Sequence, residues 1–266
     1  MQYCCPGCAS WNELLPLYSV AYNNILRQCN YARRYGAIGV LNTDWGDYLH
    51  VGHPDLSRVG MIYGAAFSWN PEIPSYEEIN RQISRLELRC ADGELLAVVA
   101  RMEDCAVFDW GLTCLYKEWK EGVPEVEEDC KARLAQAMRR LPEIGEQNAR
   151  LEAAERELYG KLSLMDSSAR PLLTPYLLAA EGMRLFNKVG QVVLADDGQT
   201  DGQTAEHSRA AAGQTAIDKK TLAAGLELWL YHYKQAYRSV SRESELRRIE
   251  ALVSWYGDYL RDNAAD

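Results

Sequence analysis

No stretch of this 266-residue chain approaches the ~20 consecutive apolar residues of a membrane span, so no membrane partner is expected. The N-terminus, Met1-Gln2-Tyr3-Cys4-Cys5-Pro6, lacks a basic region leading into an apolar run, and no signal peptide is expected. Clusters of Lys and Arg are also missing. The net charge is −9, and phosphate contacts need such clusters, so a nucleic-acid partner is not expected either. Acidity of this size suits a cytoplasmic protein but names no partner. Histidines at metal-ligand spacing are absent as well. Of the eight cysteines, Cys4, Cys5 and Cys8 cluster, with C-x-x-C spacing from Cys5 to Cys8. A zinc site wants a second pair or suitably spaced histidines. The remaining five (Cys29, Cys90, Cys105, Cys114, Cys130) fall singly on helical patterns, where a reduced thiol packs as a small apolar group. No metal and no cofactor are expected, and a reducing compartment suits the thiols.

What is present is ordinary globular composition, 47% hydrophobic and 25% charged. Residues 3–6 read as a short strand. From Ser10 to Tyr35 the pattern is helical, with Leu17, Ala21, Ile25, Cys29 and Ala32 recurring every three or four residues. Gly36 stands where a left-handed cap belongs. The run Ala37-Ile38-Gly39-Val40-Leu41-Asn42 reads as a strand buried on both faces, as in a parallel sheet. Strand, helix and strand predict one βαβ unit. Val59, Ile62, Tyr63, Ala66 and Phe67 predict the next helix, with Gly64, Ala65 and Ala66 small enough for close packing. Ser75 and Glu78 form a capping box for another. Beyond residue 90 strand signals nearly vanish, and amphipathic helices are predicted over 93–106, 109–120, 125–160, 170–195 and 217–262. Pro142 should kink or split one of them. The polar, low-complexity segment 196–216 is predicted to be a flexible loop.

The blocks Cys5-Pro6-Gly7, Ser10-Trp11-Asn12, Gly36-Ala37, Leu41-Asn42-Thr43-Asp44-Trp45-Gly46-Asp47 and Gly64-Ala65-Ala66-Phe67-Ser68-Trp69-Asn70 resemble a bacterial branch of glycoside hydrolase family 20, the β-N-acetylhexosaminidase type. Trp229, Tyr233, Arg238 and Ser244-Glu245-Leu246 resemble its tail. The resemblance implies a fold: an α/β remnant of a TIM-type (β/α)8 barrel over residues 1–88, carrying strands seven and eight with their helices. A mainly α-helical domain over 89–266 would follow. It also implies that the family's catalytic Asp-Glu pair, at the end of strand four, would lie upstream of Met1. No Asp-Glu dipeptide here follows a strand.

Family members cleave terminal N-acetylhexosamine by substrate assistance, the sugar's own acetamido oxygen acting as nucleophile; ordinary retaining glycosidases use a carboxylate of the enzyme. Trp45 matches the tryptophan that walls the sugar pocket, and Asp47 an acidic residue that accepts hydrogen bonds from sugar hydroxyls. Better-known members have Glu at that position. Read without the resemblance, Trp45 is a core residue beside a helix-capping Asp47. Asp44 is expected to orient the loop or touch ligand. His50 aligns with a family histidine, although Leu49 stands where glycine is usual. Trp11 is a candidate pocket residue. Trp69, Trp229 and Trp255 are expected to pack helices. The leading expectation is therefore a carbohydrate-binding enzyme part, inactive in isolation, with self-association through the incomplete barrel. A non-catalytic helical interaction protein or sugar-binding module is the alternative.

Overall fold

The computed structural model describes residues 1–70, 72–198 and 217–263. The secondary structure begins with β1 (Tyr3–Cys4), α1 (Tyr18–Tyr35) and β2 (Gly39–Val40). The strands are parallel, Tyr3 opposite Gly39 and Cys4 opposite Val40, and a further parallel bridge joins Gly7 to Thr43. The predicted strand–helix–strand order is present. The barrel remnant is not. The protein is mainly helical, 71% of it in helices, and among the described residues this two-strand sheet is the only one. The physical reason lies in the run 37–42, which was expected to be buried on both faces. Ile38 is 52% and Leu41 58% exposed, and Tyr3 across the ladder is exposed too. Barrel strands bury both faces, whereas this pair is only partly covered.

Helices α2 (Pro54–Trp69), α3 (Tyr76–Leu86), α4 (Leu95–Ala100), α5 (Trp110–Lys120), α6 (Glu127–Arg140) and α7 (Ile144–Lys161) follow. A 3-10 turn over Leu141–Glu143, with Pro142 in its first turn, separates α6 from α7. Then come α8 (Thr174–Gly198), α9 (Lys219–Val240) and α10 (Leu246–Asp262). Of the predicted flexible loop at 196–216, the first residues continue α8. Residues 199–216 lie outside the described residues.

The chain forms two compact units, one of Met1–Glu103 with Glu152–Ala180 and one of Asp104–Leu151 with Glu181–Asp266. In the first, α1 buries Tyr18, Ala21, Ile25, Cys29 and Ala32 and ends on Gly36 at φ 65. Its first turn has no cap of its own. The buried Glu103 carboxylate accepts from the Ser19 amide at 3.1 Å and the Ser19 hydroxyl at 2.6 Å instead. Tyr76 donates to the same carboxylate at 2.9 Å. Helix α2 starts on His53, whose Nδ1 accepts from the Asp55 amide at 3.2 Å, with Pro54 behind it. Gly60 and Gly64 let it approach closely: a methyl at Gly60 would sit 2.8 Å from the Cys8 side chain, and one at Gly64 would collide with Asn42. Helix α3 begins at the predicted cap, Ser75 Oγ accepting from the Glu78 amide at 3.2 Å.

The second unit is closed around aromatic rings. Trp110 and Phe186 meet edge to face at 5.4 Å, as do Phe186 and Trp229 at 5.8 Å. The buried Asn187 accepts from the Val107 amide at 2.8 Å and donates to the Cys105 carbonyl at 2.8 Å, so the interior turn carries no orphaned polar group there. Tyr256 donates to the Thr113 carbonyl at 2.7 Å. Trp229 and Trp255 pack helices as expected, Trp255 stacking on Tyr259. Trp69 does not. At the last residue of α2 it points to solvent, 86% exposed.

Candidate functional site

The first unit brings several sequence candidates to the carboxyl ends of its two strands. The junction is held by the Cys8 amide donating to the Thr43 carbonyl at 2.9 Å and the Thr43 amide donating to the Pro6 carbonyl at 2.8 Å. The Thr43 hydroxyl also donates to the Pro6 carbonyl at 2.8 Å and accepts from Trp45 Nε1 at 2.9 Å. Trp45 is thereby tethered, yet its indole is 57% exposed. Trp11 comes to the same junction. Its six-membered ring covers Gly7 so closely that a methyl there would lie 2.8 Å from it and 3.5 Å from the Thr43 hydroxyl. Two accessible indoles thus lie at the Gly7–Thr43 bridge.

The acidic residues take different positions. Asp44 is half-buried and accepts from the Ser10 hydroxyl, which ties the loop after β2 to the one after β1. Asp47 is exposed. It stands at the cap position of the 3-10 turn Tyr48–His50 but makes no side-chain capping bond. The alternative reading, a core tryptophan beside a capping aspartate, therefore fits neither residue. His50 is exposed, and its ring lies over Gly46, where a methyl would come within 2.6 Å of Nδ1. Tyr48, Leu49 and His50 all have left-handed backbones, at φ 47, 71 and 50. Such residues cost of order 1–3 kcal/mol each and cluster at ligand-binding segments.

Cys8, beneath this junction, is fully buried. Burial and then the nearby Asp44 charge push its thiol up to about 12, against a hydrogen bond from Asn42 that favours the thiolate. Burial thus favours its neutral thiol form. Among the described residues no group of three or more His, Cys, Asp or Glu side chains is placed to hold a metal ion.

Sequence reasoning singled out Trp11, Asp44, Trp45, Asp47 and His50, but not the residues that arrange them. Thr43, Gly7 and Ser10 do that, and all three lie inside the blocks already quoted. Comparison with family models, with curated proteins and with solved structures returns no match.

Among the described residues no helix is long and apolar enough to cross a membrane.

Proposed function

We propose that this chain supplies the sugar-contacting surface of a glycoside hydrolase resembling β-N-acetylhexosaminidases. Trp45 offers its face to the apolar C–H face of an N-acetylhexosamine, and Asp47 accepts from its hydroxyls. The observation that carries the reading is the tethered, exposed indole of Trp45 with Trp11 at the same Gly7–Thr43 bridge. Exposed aromatic faces held by hydrogen bonds, next to charged acceptors, suit an amphipathic ligand such as a pyranose. The catalytic Asp-Glu pair of the resembled family has no counterpart on a strand here, so the chain alone binds and does not hydrolyse. The mainly helical architecture favours a second reading in which the same surface serves a non-catalytic sugar-binding module. Eight cysteines, none of them in a disulfide, suit a reducing, cytoplasmic setting. The exposed Tyr3, Ile38 and Leu41 offer copies of the chain an apolar surface for self-association.

The test is a titration of the whole chain with N-acetylglucosamine and its β-linked disaccharide, followed by tryptophan fluorescence. Saturable binding is expected, lost in Trp45→Ala and weakened in Asp47→Asn, which keeps an acceptor but not the charge. Hydrolysis of a chromogenic N-acetylglucosaminide should stay at background, since loss of a general acid alone costs about 10²–10⁴ in rate. Unchanged affinity in Trp45→Ala would remove the site from this surface.

A further inference from the structure

The first unit holds a cavity of about 510 Å³ that the sugar surface does not use. It lies between α2 and α3 and the segment joining them. Its size is within the range of small-molecule sites. The floor is apolar, built chiefly from Ile62 of α2, Ile73 of the joining segment, and Ile79, Ile83 and Leu86 of α3. No lysine or arginine lines it. The polar groups are two carboxylates, Glu72 and Glu87, and two amides, Asn70 and Gln82. Each amide has a fixed orientation that leaves its oxygen as an acceptor. Asn70 Nδ2 donates to the Ala66 carbonyl and Gln82 Nε2 to Glu78, both at 2.9 Å. The charged groups of the lining are only negative.

The two carboxylates belong to opposite ends of α3: Glu72 precedes the helix and Glu87 follows its last residue. Eleven helical residues at ~1.5 Å each separate the ends of that helix by about 16 Å. Between them the α3 lining is aliphatic apart from Gln82. We infer that this groove binds a slender dication, an aliphatic chain with an ammonium group at each end, the chain on the isoleucine floor and one ammonium at each carboxylate. Charge complementarity selects this occupant over a fatty acid, whose carboxylate would meet no positive charge in the lining. The apolar middle selects it over a polyamine with charges along its length.

Calorimetric titration of the whole chain with dodecanediamine tests this, with dodecylamine, dodecanedioate and spermine as comparisons. The diamine is expected to bind most tightly, the monoamine several-fold more weakly, and the diacid not at all. Glu72→Gln and Glu87→Gln should each weaken the diamine about threefold to fivefold, as exposed ion pairs do, and the double variant by about tenfold or more. Ala66→Trp, which fills the groove from α2, should abolish binding while circular dichroism shows the fold intact. Equal binding of the diacid, full affinity in the double glutamine variant, or binding that survives Ala66→Trp would overturn the inference. Binding of N-acetylglucosamine in the same variants should be unchanged, which keeps this site separate from Trp45.

Discussion

The two units treat the same residue types in opposite ways. In the second, Trp229 is 0% exposed and stacks on Tyr233 inside a shell of aromatic rings. In the first, Trp11, Trp45 and Trp69 are all exposed, and Ile38 and Leu41 join them at the surface. Backbone strain divides the same way. All six non-glycine residues with left-handed backbones among the described residues lie in the first unit: Ala9, Asn12, Tyr48, Leu49, His50 and Arg89. Five of them fall between residues 9 and 50, around the strand ends. Exposed apolar groups and unfavourable backbone conformations both lower stability. The strained backbones concentrate around the strand ends, whereas the described residues of the second unit have no left-handed backbone outside glycine, although Leu228, Tyr231 and Val240 are exposed there too.

The sharpest way to break this comparison is to truncate one tryptophan from each unit. Trp229→Ala leaves a large cavity and should cost about 3–5 kcal/mol in chemical denaturation. Trp45→Ala loses one hydrogen bond and little burial, and should cost under about 1 kcal/mol while removing sugar binding. If the two variants unfold at the same denaturant concentration, the distinction between core and site tryptophans fails. Glu103→Gln comes next. It replaces a buried carboxylate that accepts from Ser19 twice and from Tyr76 once, and the amide group cannot accept all three. A loss of about 1–3 kcal/mol is expected. An unchanged midpoint would mean that α1 is capped by other means.

How much of this was legible follows from the range of each signal. The body and the end of helix α1 were legible, from the spacing of Ala21, Ile25, Cys29 and Ala32 and from Gly36, because period and cap are local; its start was not, since the helix expected from Ser10 begins at Tyr18. The cap at Ser75 and the break at Pro142 were read for the same reason. The run 37–42 holds a strand only at Gly39–Val40, and it is not the buried one expected. Side-chain type reports what a strand would bury, not whether anything covers it, and Ile38 and Leu41 remain exposed. Trp69 misled in the same way, as an aromatic at helical spacing that the end of α2 leaves in solvent. The capping of α1 by Glu103 spans 84 residues and leaves no local trace. At the strand ends, the exposed tryptophans and acidic side chains stood out by type. Thr43 and Gly7 did not, because a threonine and a glycine in a loop are unremarkable until the Trp11 ring and the Trp45 indole N–H are seen against them.

A smaller effect separates the relaxed parts of the first unit from its strained ones. Asp92 is a well-satisfied group. Burial raises its pKa, but Lys161 at 2.6 Å, the Glu94 amide and the Cys90 thiol outweigh that and bring it to about 2 from an ordinary 3.8. The folded state therefore binds this proton less readily than the unfolded chain. The resulting stability is complete above about pH 4 and is lost as pH falls through about 2. Discounted for partial exposure, Asp92→Asn should cost about 1 kcal/mol at pH 7, and the penalty should vanish near pH 2. A penalty that persists there would assign the loss to packing.

The smallest expected effect is also of opposite sign. Leu49 sits at φ 71, where the β-carbon crowds the following carbonyl at a cost of about 1–2 kcal/mol. Glycine has no such clash. Its larger freedom in the unfolded chain returns about 0.5–1 kcal/mol of the gain. Leu49→Gly should thus raise stability by about 0.5–1 kcal/mol, read as a higher denaturation midpoint. The same substitution frees the hinge between Asp47 and His50, so sugar affinity should fall even as the protein becomes harder to unfold. A variant that gains both stability and affinity would show that the left-handed turn at 48–50 contributes nothing to the site. One that loses more than about 1 kcal/mol would show that the half-buried Leu49 side chain packs well enough to outweigh its backbone.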